Sequence, residues 1–350
     1  MKSMFSKLSL GLLLALSLAQ SLQAMKGDIN TQLDKHNLDK IEKYLRERAA
    51  INNPDSFGMT PLVFAVDRDN LWEVERLLSQ GVDVNQTDKN SRTPLSHSLY
   101  GKNIEIVKLL LENGADANKE TSSGDTLLQD VVATLDYHLM NYKNLELAKL
   151  LIAAGADVNH ARQKDGETPL LMAARSANPY GDNSKAIEMV KLLLKNGADA
   201  KKASHDGDTP LIRAVKRGSI EMVKSLLEKG ADVNKANSDT TPLVVAAADY
   251  GRNIEIVKLL LEKGADVNKA DKYGQTPLLF AVNKNDIELV KLLINRGANP
   301  FMANSGGITP FSLAEKKEYE DIVKYMKKHA MQVSVREKGK GTQDISFKFQ

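Results

Sequence analysis

Residues 254 to 264 read Ile254-Glu255-Ile256-Val257-Lys258-Leu259-Leu260-Leu261-Glu262-Lys263-Gly264. Glu255, Lys258 and Glu262 fall at i, i+3 and i+7, one narrow polar stripe on a helix whose other positions are nearly all apolar. Such a helix is covered on most sides. Gly264 stands where a left-handed residue is needed to end it. A lone helical hairpin cannot provide that cover, but stacked copies can, each one a wall for the next.

Outward from this run a second mark recurs: Thr60-Pro61-Leu62, Thr93-Pro94-Leu95, Thr126-Leu127-Leu128, Thr168-Pro169-Leu170, Thr209-Pro210-Leu211, Thr241-Pro242-Leu243, Thr276-Pro277-Leu278 and Thr309-Pro310-Phe311. The intervals are 33, 33, 42, 41, 32, 35 and 33 residues. Glycines 81, 114, 155, 197, 230, 264 and 297 keep the same period. A threonine hydroxyl caps the exposed amides of a helix start, and proline suits the first helical position, where its missing N–H is no loss. Thr-Pro therefore opens a first helix, and glycine closes a second.

The roughly 33-residue period, Thr-Pro-Leu-x-x-Ala (Thr60 to Ala65, Thr209 to Ala214, Thr276 to Ala281) and Gly-Ala-Asp-Val-Asn (Gly230 to Asn234, Gly264 to Asn268) resemble the ankyrin repeat family across residues 28 to 330. The resemblance implies an all-α repeat solenoid: a stack of helix-turn-helix units with β-hairpin or turn fingers. The family's histidine after Thr-Pro-Leu is replaced by Val63, Ser96, Gln129, Leu171, Ile212, Val244, Leu279 and Ser312. Five of these eight are apolar, so packing is expected to stand in for a polar network there.

The ends read differently. Residues 1–24 carry Lys2 and Lys7 ahead of an apolar run from Leu8 to Ala19. That run is shorter than the ~20 residues of a spanning helix and has the form of a secretory signal. Cleavage after Ala24 is expected, with Ala19-Gln20-Ser21 as a competing site, and an export destination of periplasm or secreted. Losing Lys2 and Lys7 lowers the formal net charge from +3 to +1. Residues 25–54 read as an N-terminal capping half-repeat, because Lys40 and Lys43 stand where Ile106 and Leu109 give an internal copy its apolar face, and Glu42 stands where that copy has Lys108. Residues 55–331 make eight repeats. In the tail, 332–350, and just before it, Met331-Gln332-Val333-Ser334-Val335 and Ile345-Ser346-Phe347-Lys348-Phe349 alternate around Gly339 and Gly341, which makes a candidate β-hairpin.

Chemistry finds little foothold. Zero cysteines exclude disulfides, thiolate metal sites and a cysteine nucleophile. The six histidines are never closer than 22 residues, so no local zinc motif exists. No phosphate-cradling glycine loop or nucleophile elbow is present. Asp83, Asp116, Asp157, Asp199, Asp232 and Asp266 repeat in one slot and read as turn residues. No catalytic residue, cofactor or metal is expected.

A protein partner is the expected ligand. In the family the concave face is made by finger tips and the exposed side of the first helix. Carried over, this places Phe57, Met59, Arg68, Arg92, Arg175, Arg217 and Tyr273 on it, together with acids such as Glu167 and Asp208. Mixed charge along that face fits a protein better than nucleic acid, which favours a basic stripe. Threonine to closing glycine spans 21 residues in most repeats, but 29 in repeats three and four and 23 in repeat six, so added residues lie between the two helices. These insertions, with the ends of neighbouring first helices, carry Tyr100, Tyr137, Tyr142, Tyr180 and Tyr250, a second candidate contact edge. The function expected is a non-catalytic, monomeric scaffold with no stable membrane anchor. The alternatives are a chaperone-like envelope stress factor holding a client enzyme, or a secreted effector binding a host protein.

Overall fold

The computed structural model describes residues 51–101, 103–134, 143–176, 183–248 and 254–338. The expected signal segment, most of the expected half-repeat and the tail from 339 onward lie outside the described residues. The chain divides into two compact units after Asp116. In the first unit α1 (Pro61–Asp67) pairs with α2 (Leu71–Ser79), and α3 (Pro94–Gly101) with α4 (Ile104–Glu112). In the second unit six further pairs follow. They are α5 (Leu127–Ala133) with α6 (Lys143–Ala153), α7 (Pro169–Arg175) with α8 (Ser184–Lys195), and α9 (Pro210–Lys216) with α10 (Ile220–Glu228). After them come α11 (Pro242–Ala248) with α12 (Ile254–Glu262), α13 (Pro277–Asn283) with α14 (Ile287–Asn295), and α15 (Pro310–Lys316) with α16 (Glu320–Lys338). Within each unit a short helix packs on its long partner and on the short helix of the next pair.

The two sequence marks act mechanically as expected. Thr60, Thr168, Thr209 and Thr276 each accept the amide of the residue three on at 3.1–3.2 Å, with proline at the first helical position. The closing glycines take φ of +76° to +89°. The leucine after each Thr-Pro is fully buried, as in Leu62, Leu95, Leu170 and Leu211. The family-histidine position is packed with Val63, Leu171, Ile212, Val244 and Leu279, all buried. The polar occupants there turn back on the helix start instead. Ser96 and Gln129 accept the amides of Thr93 and Thr126, and Ser312 that of Thr309.

Of the hairpin and turn alternatives for the fingers, the described residues show the turn: there is no strand among them, and most fingers are closed by a backbone bond spanning four residues, such as Asp88 N–H to the Arg92 carbonyl at 2.9 Å. In five fingers an acid or amide side chain at the start orders the turn, as where Asp55 Oδ1 accepts the amides of Phe57 and Met59, both at 2.8 Å. A loop held by one side chain needs no ladder. The first strand of the tail hairpin, Met331 to Val335, is instead helical, because α16 continues to Lys338. No glycine or proline interrupts 320 to 338, and Val333 stands 11 residues beyond buried Ile322, a helical multiple.

Candidate partner-binding face

The fingers position two kinds of side chain. In the first unit Phe57 sits at a tip 75% exposed, Met59 at its base is half-buried, and Phe64 on α1 is 40% exposed. Exposed Arg68 has its guanidinium carbon 6.0 Å from the Phe64 ring centre. Half-buried Arg92 spends its Nε on Asp88 at 3.2 Å. His97 bridges Asp67 at 2.8 Å and Asp88 at 3.2 Å. Burial pushes the Asp88 carboxyl upward, but the amides of Arg92 and Asn90 and the His97 ring outweigh it and hold it low.

In the second unit the middle repeats are internally paired. Arg213, 8% exposed on α9, donates to both oxygens of Glu167 at 2.8 and 2.5 Å, and also reaches Asp208 at 3.2 Å. Gln129 donates to the Glu167 carbonyl at 2.8 Å, and Asn237 to Asp208 at 2.9 Å. Burial would lower the Arg213 pKa, yet Glu167 more than offsets it and the cation is favoured. Arg162 binds Asp165 through two nitrogens at 2.9 and 2.6 Å and Asp125 at 3.0 Å. Its hydrogen bond holds Asp165 down at about 2. Asp130 on α5 has the opposite fate: burial, with the Asp125 charge behind it, raises it to about 6.

Glu167 and Asp208 are thereby corrected from exposed contact residues to members of an inter-repeat network. This network flanks the family-histidine position, where Leu171 and Ile212 are packed as expected; of its members only Gln129 occupies that position. Its signal was legible: four residues after the threonine, the sequence runs Phe64, His97, Asp130, Met172, Arg213, Val245, Phe280, Leu313. Read as a column, charges gather in the middle and apolar residues at both ends.

The far repeats of the second unit are apolar and open. Tyr273 is 57% exposed with the Lys272 ammonium 5.0 Å from its ring centre, and its carbonyl accepts from the Ser305 amide at 2.9 Å. Met302 and Ile308 are about 40% exposed, and Phe280 and Leu313 are half-buried. Phe64, Met302, Ile308 and the exposed Trp72 on α2 were not picked out from sequence. Ile308 occupies the slot of Met59, one residue before the threonine, so a column reading would have found it.

Arg175 is exposed at the end of α7 and Arg217 half-buried just after α9. Tyr100 lies in the last turn of α3. Tyr137, Tyr142, Tyr180 and Tyr250 lie outside the described residues. Helix bounds do place the insertions between first and second helices, at 134–142, 176–183 and 249–253. Among the described residues no group of acids and histidines forms a metal site, and no helix is long and apolar enough to cross a membrane.

A model of ankyrin repeats in three copies matches residues 32–121, 135–237, 180–271 and 243–337. The chain belongs to the ankyrin repeat family. No curated protein matches it. Ankyrin repeats commonly mediate protein–protein interaction and are generally non-catalytic. In this ankyrin chain the finger tips divide between charge pairs that tie neighbouring copies together and apolar side chains left open to solvent.

Proposed function

We propose that this ankyrin protein is an exported, monomeric, non-catalytic scaffold that binds a protein partner through its apolar fingers. The contact residues are Phe57, Met59 and Phe64 in the first unit and Tyr273, Met302 and Ile308 in the second. One observation carries this reading: large apolar side chains stand exposed on finger loops that rigid Asx turns hold in place. Aromatic residues and methionine on rigid loops are the usual anchors of protein interfaces. The acids and arginines of repeats three to five neutralise one another, so no basic stripe is left to track a phosphate backbone.

Crosslinking capture from the exported fraction tests the reading. A defined partner should appear with wild type and weaken at least tenfold with Phe57→Ala and Tyr273→Ala combined. Equal capture by the double variant, or capture of many unfolded clients, overturns it. Export through the leader predicts that N-terminal sequencing of the exported protein starts at Met25; retention of Met1 refutes that part.

A further inference from the structure

Below the fingers, neighbouring repeats are joined by a ladder of asparagine side chains. Oδ1 of Asn85, Asn118, Asn159, Asn234 and Asn268 accepts the amide of Asp116, Asp157, Asp199, Asp266 and Asn299 at 2.7–2.8 Å. Their Nδ2 atoms donate to the carbonyls of Gly114, Gly155, Gly197, Gly264 and Gly297 at 2.9–3.2 Å. Every rung is thus one carboxamide bridging one N–H and one C=O of the next copy.

One rung is missing. Repeat four has Lys201 in the asparagine slot, and a lysine cannot accept. The receiving loop of repeat five is nevertheless built like the others. Ala231 N–H bonds the Leu226 carbonyl at 3.0 Å and Asn234 N–H bonds Asp232 Oδ1 at 2.8 Å, as Ala156 and Asn159 do in repeat three at 2.9 and 2.8 Å. The Asp232 N–H and Gly230 C=O are therefore held in rung geometry with no internal carboxamide between them. A depression of about 230 Å3 opens at this spot, lined by Lys201, Ala231, Asp232 and Lys235 above Ala200 and Leu211.

We infer that this notch is a receptor for a carboxamide supplied from outside the chain, the side chain of an Asn or Gln on a protein partner. The ligand's oxygen accepts from the Asp232 amide and its NH2 donates to the Gly230 carbonyl, while its aliphatic stem lies over Ala231 and Leu211. A carboxylate has no hydrogen to give the Gly230 carbonyl, so it completes only the accepting half of the rung. The notch is separate from the finger tips and stands whether or not they bind a partner.

Acetamide is the minimal probe, followed by amide resonances of the full chain. The Asp232 amide should shift saturably with acetamide, the Asp266 amide of a filled rung should stay still, and acetate should act more weakly. Lys201→Asn, which supplies the missing rung, should abolish the response; Lys201→Ala should keep it. An unmoved Asp232 amide, equal shifts at Asp232 and Asp266, or a stronger response to acetate would each overturn the proposal.

Discussion

Repeat five and repeat eight are the same helix pair put to opposite uses. In repeat five the slots one before and four after the threonine hold Asp208 and Arg213, and Arg213 is closed against Glu167 of repeat four. In repeat eight the same slots hold the apolar Ile308 and Leu313, which are partly open. Hydrophobic stacking is common to both, so it does not need those slots. They are free either to fix how one copy sits on the next or to meet something else. Buried pairing favours the first use: a charge deprived of its partner in a dry site costs more than the pair contributes, so the network penalises a shifted arrangement.

The largest break in that contrast should come from Arg213→Ala, which leaves Glu167 buried and unpaired. A loss of about 3–5 kcal/mol is expected, seen as a lowered denaturation midpoint. The paired change Glu167→Leu with Arg213→Met should restore most of it. A small effect of the single change would mean that Glu167 is hydrated and the network is peripheral.

Asp130 tests the middle repeats from the side of charge without a partner. Its pKa rises from 3.8 to about 6 on folding. The folded state therefore holds the proton more tightly, and the stability this confers is present at low pH and lost as pH rises from about 4 through 6. Asp130→Asn should flatten the stability profile over that window. At pH 7 it should gain on the order of 1–2 kcal/mol after discounting for partial solvent contact. An unchanged profile would place the titration elsewhere.

Smaller effects sharpen the comparison at repeat eight. The residue nine after the threonine is left-handed in both copies: Gly218 at φ +69° in repeat five, but Glu318 at φ +57° in repeat eight. Glu318→Gly should relieve about 1 kcal/mol of backbone strain, less the extra freedom of the unfolded chain, and raise the melting temperature slightly. Least of all, Tyr273→Ala should leave stability within about 0.5 kcal/mol while weakening partner capture. A large stability loss would make that ring part of the packing.

What could be read from sequence follows the range of the interactions. Threonine caps, N1 prolines and closing glycines act within a few residues, so their spacing determined both helices of each repeat. The Asx-ordered fingers were local as well, but Asp55 and Asp271 look like ordinary loop acids until the tip amides are seen bonding to them. Arg213 meets Glu167 across 46 residues and Gln129 meets Glu167 across 38, so neither pair shows in any window of one repeat. Only the column of slots, copy over copy, exposes them. The Met331 to Val335 stretch failed differently: its alternation fits a strand and also an extension of the Ile322 and Met326 stripe, and a helix already in progress continues more easily than a new strand begins.

The asparagine ladder has a mechanical consequence. Each rung ties a copy only to its neighbour, across 29 to 40 residues of chain. Within the second unit no hydrogen bond of that ladder clamps distant copies together. Stretched from its ends in an optical trap, the array should peel copy by copy, each step releasing roughly 110 Å of extended backbone for about 33 residues. The step that frees the junction of repeats four and five, where Lys201 leaves a rung out, should need the least force among the internal ones.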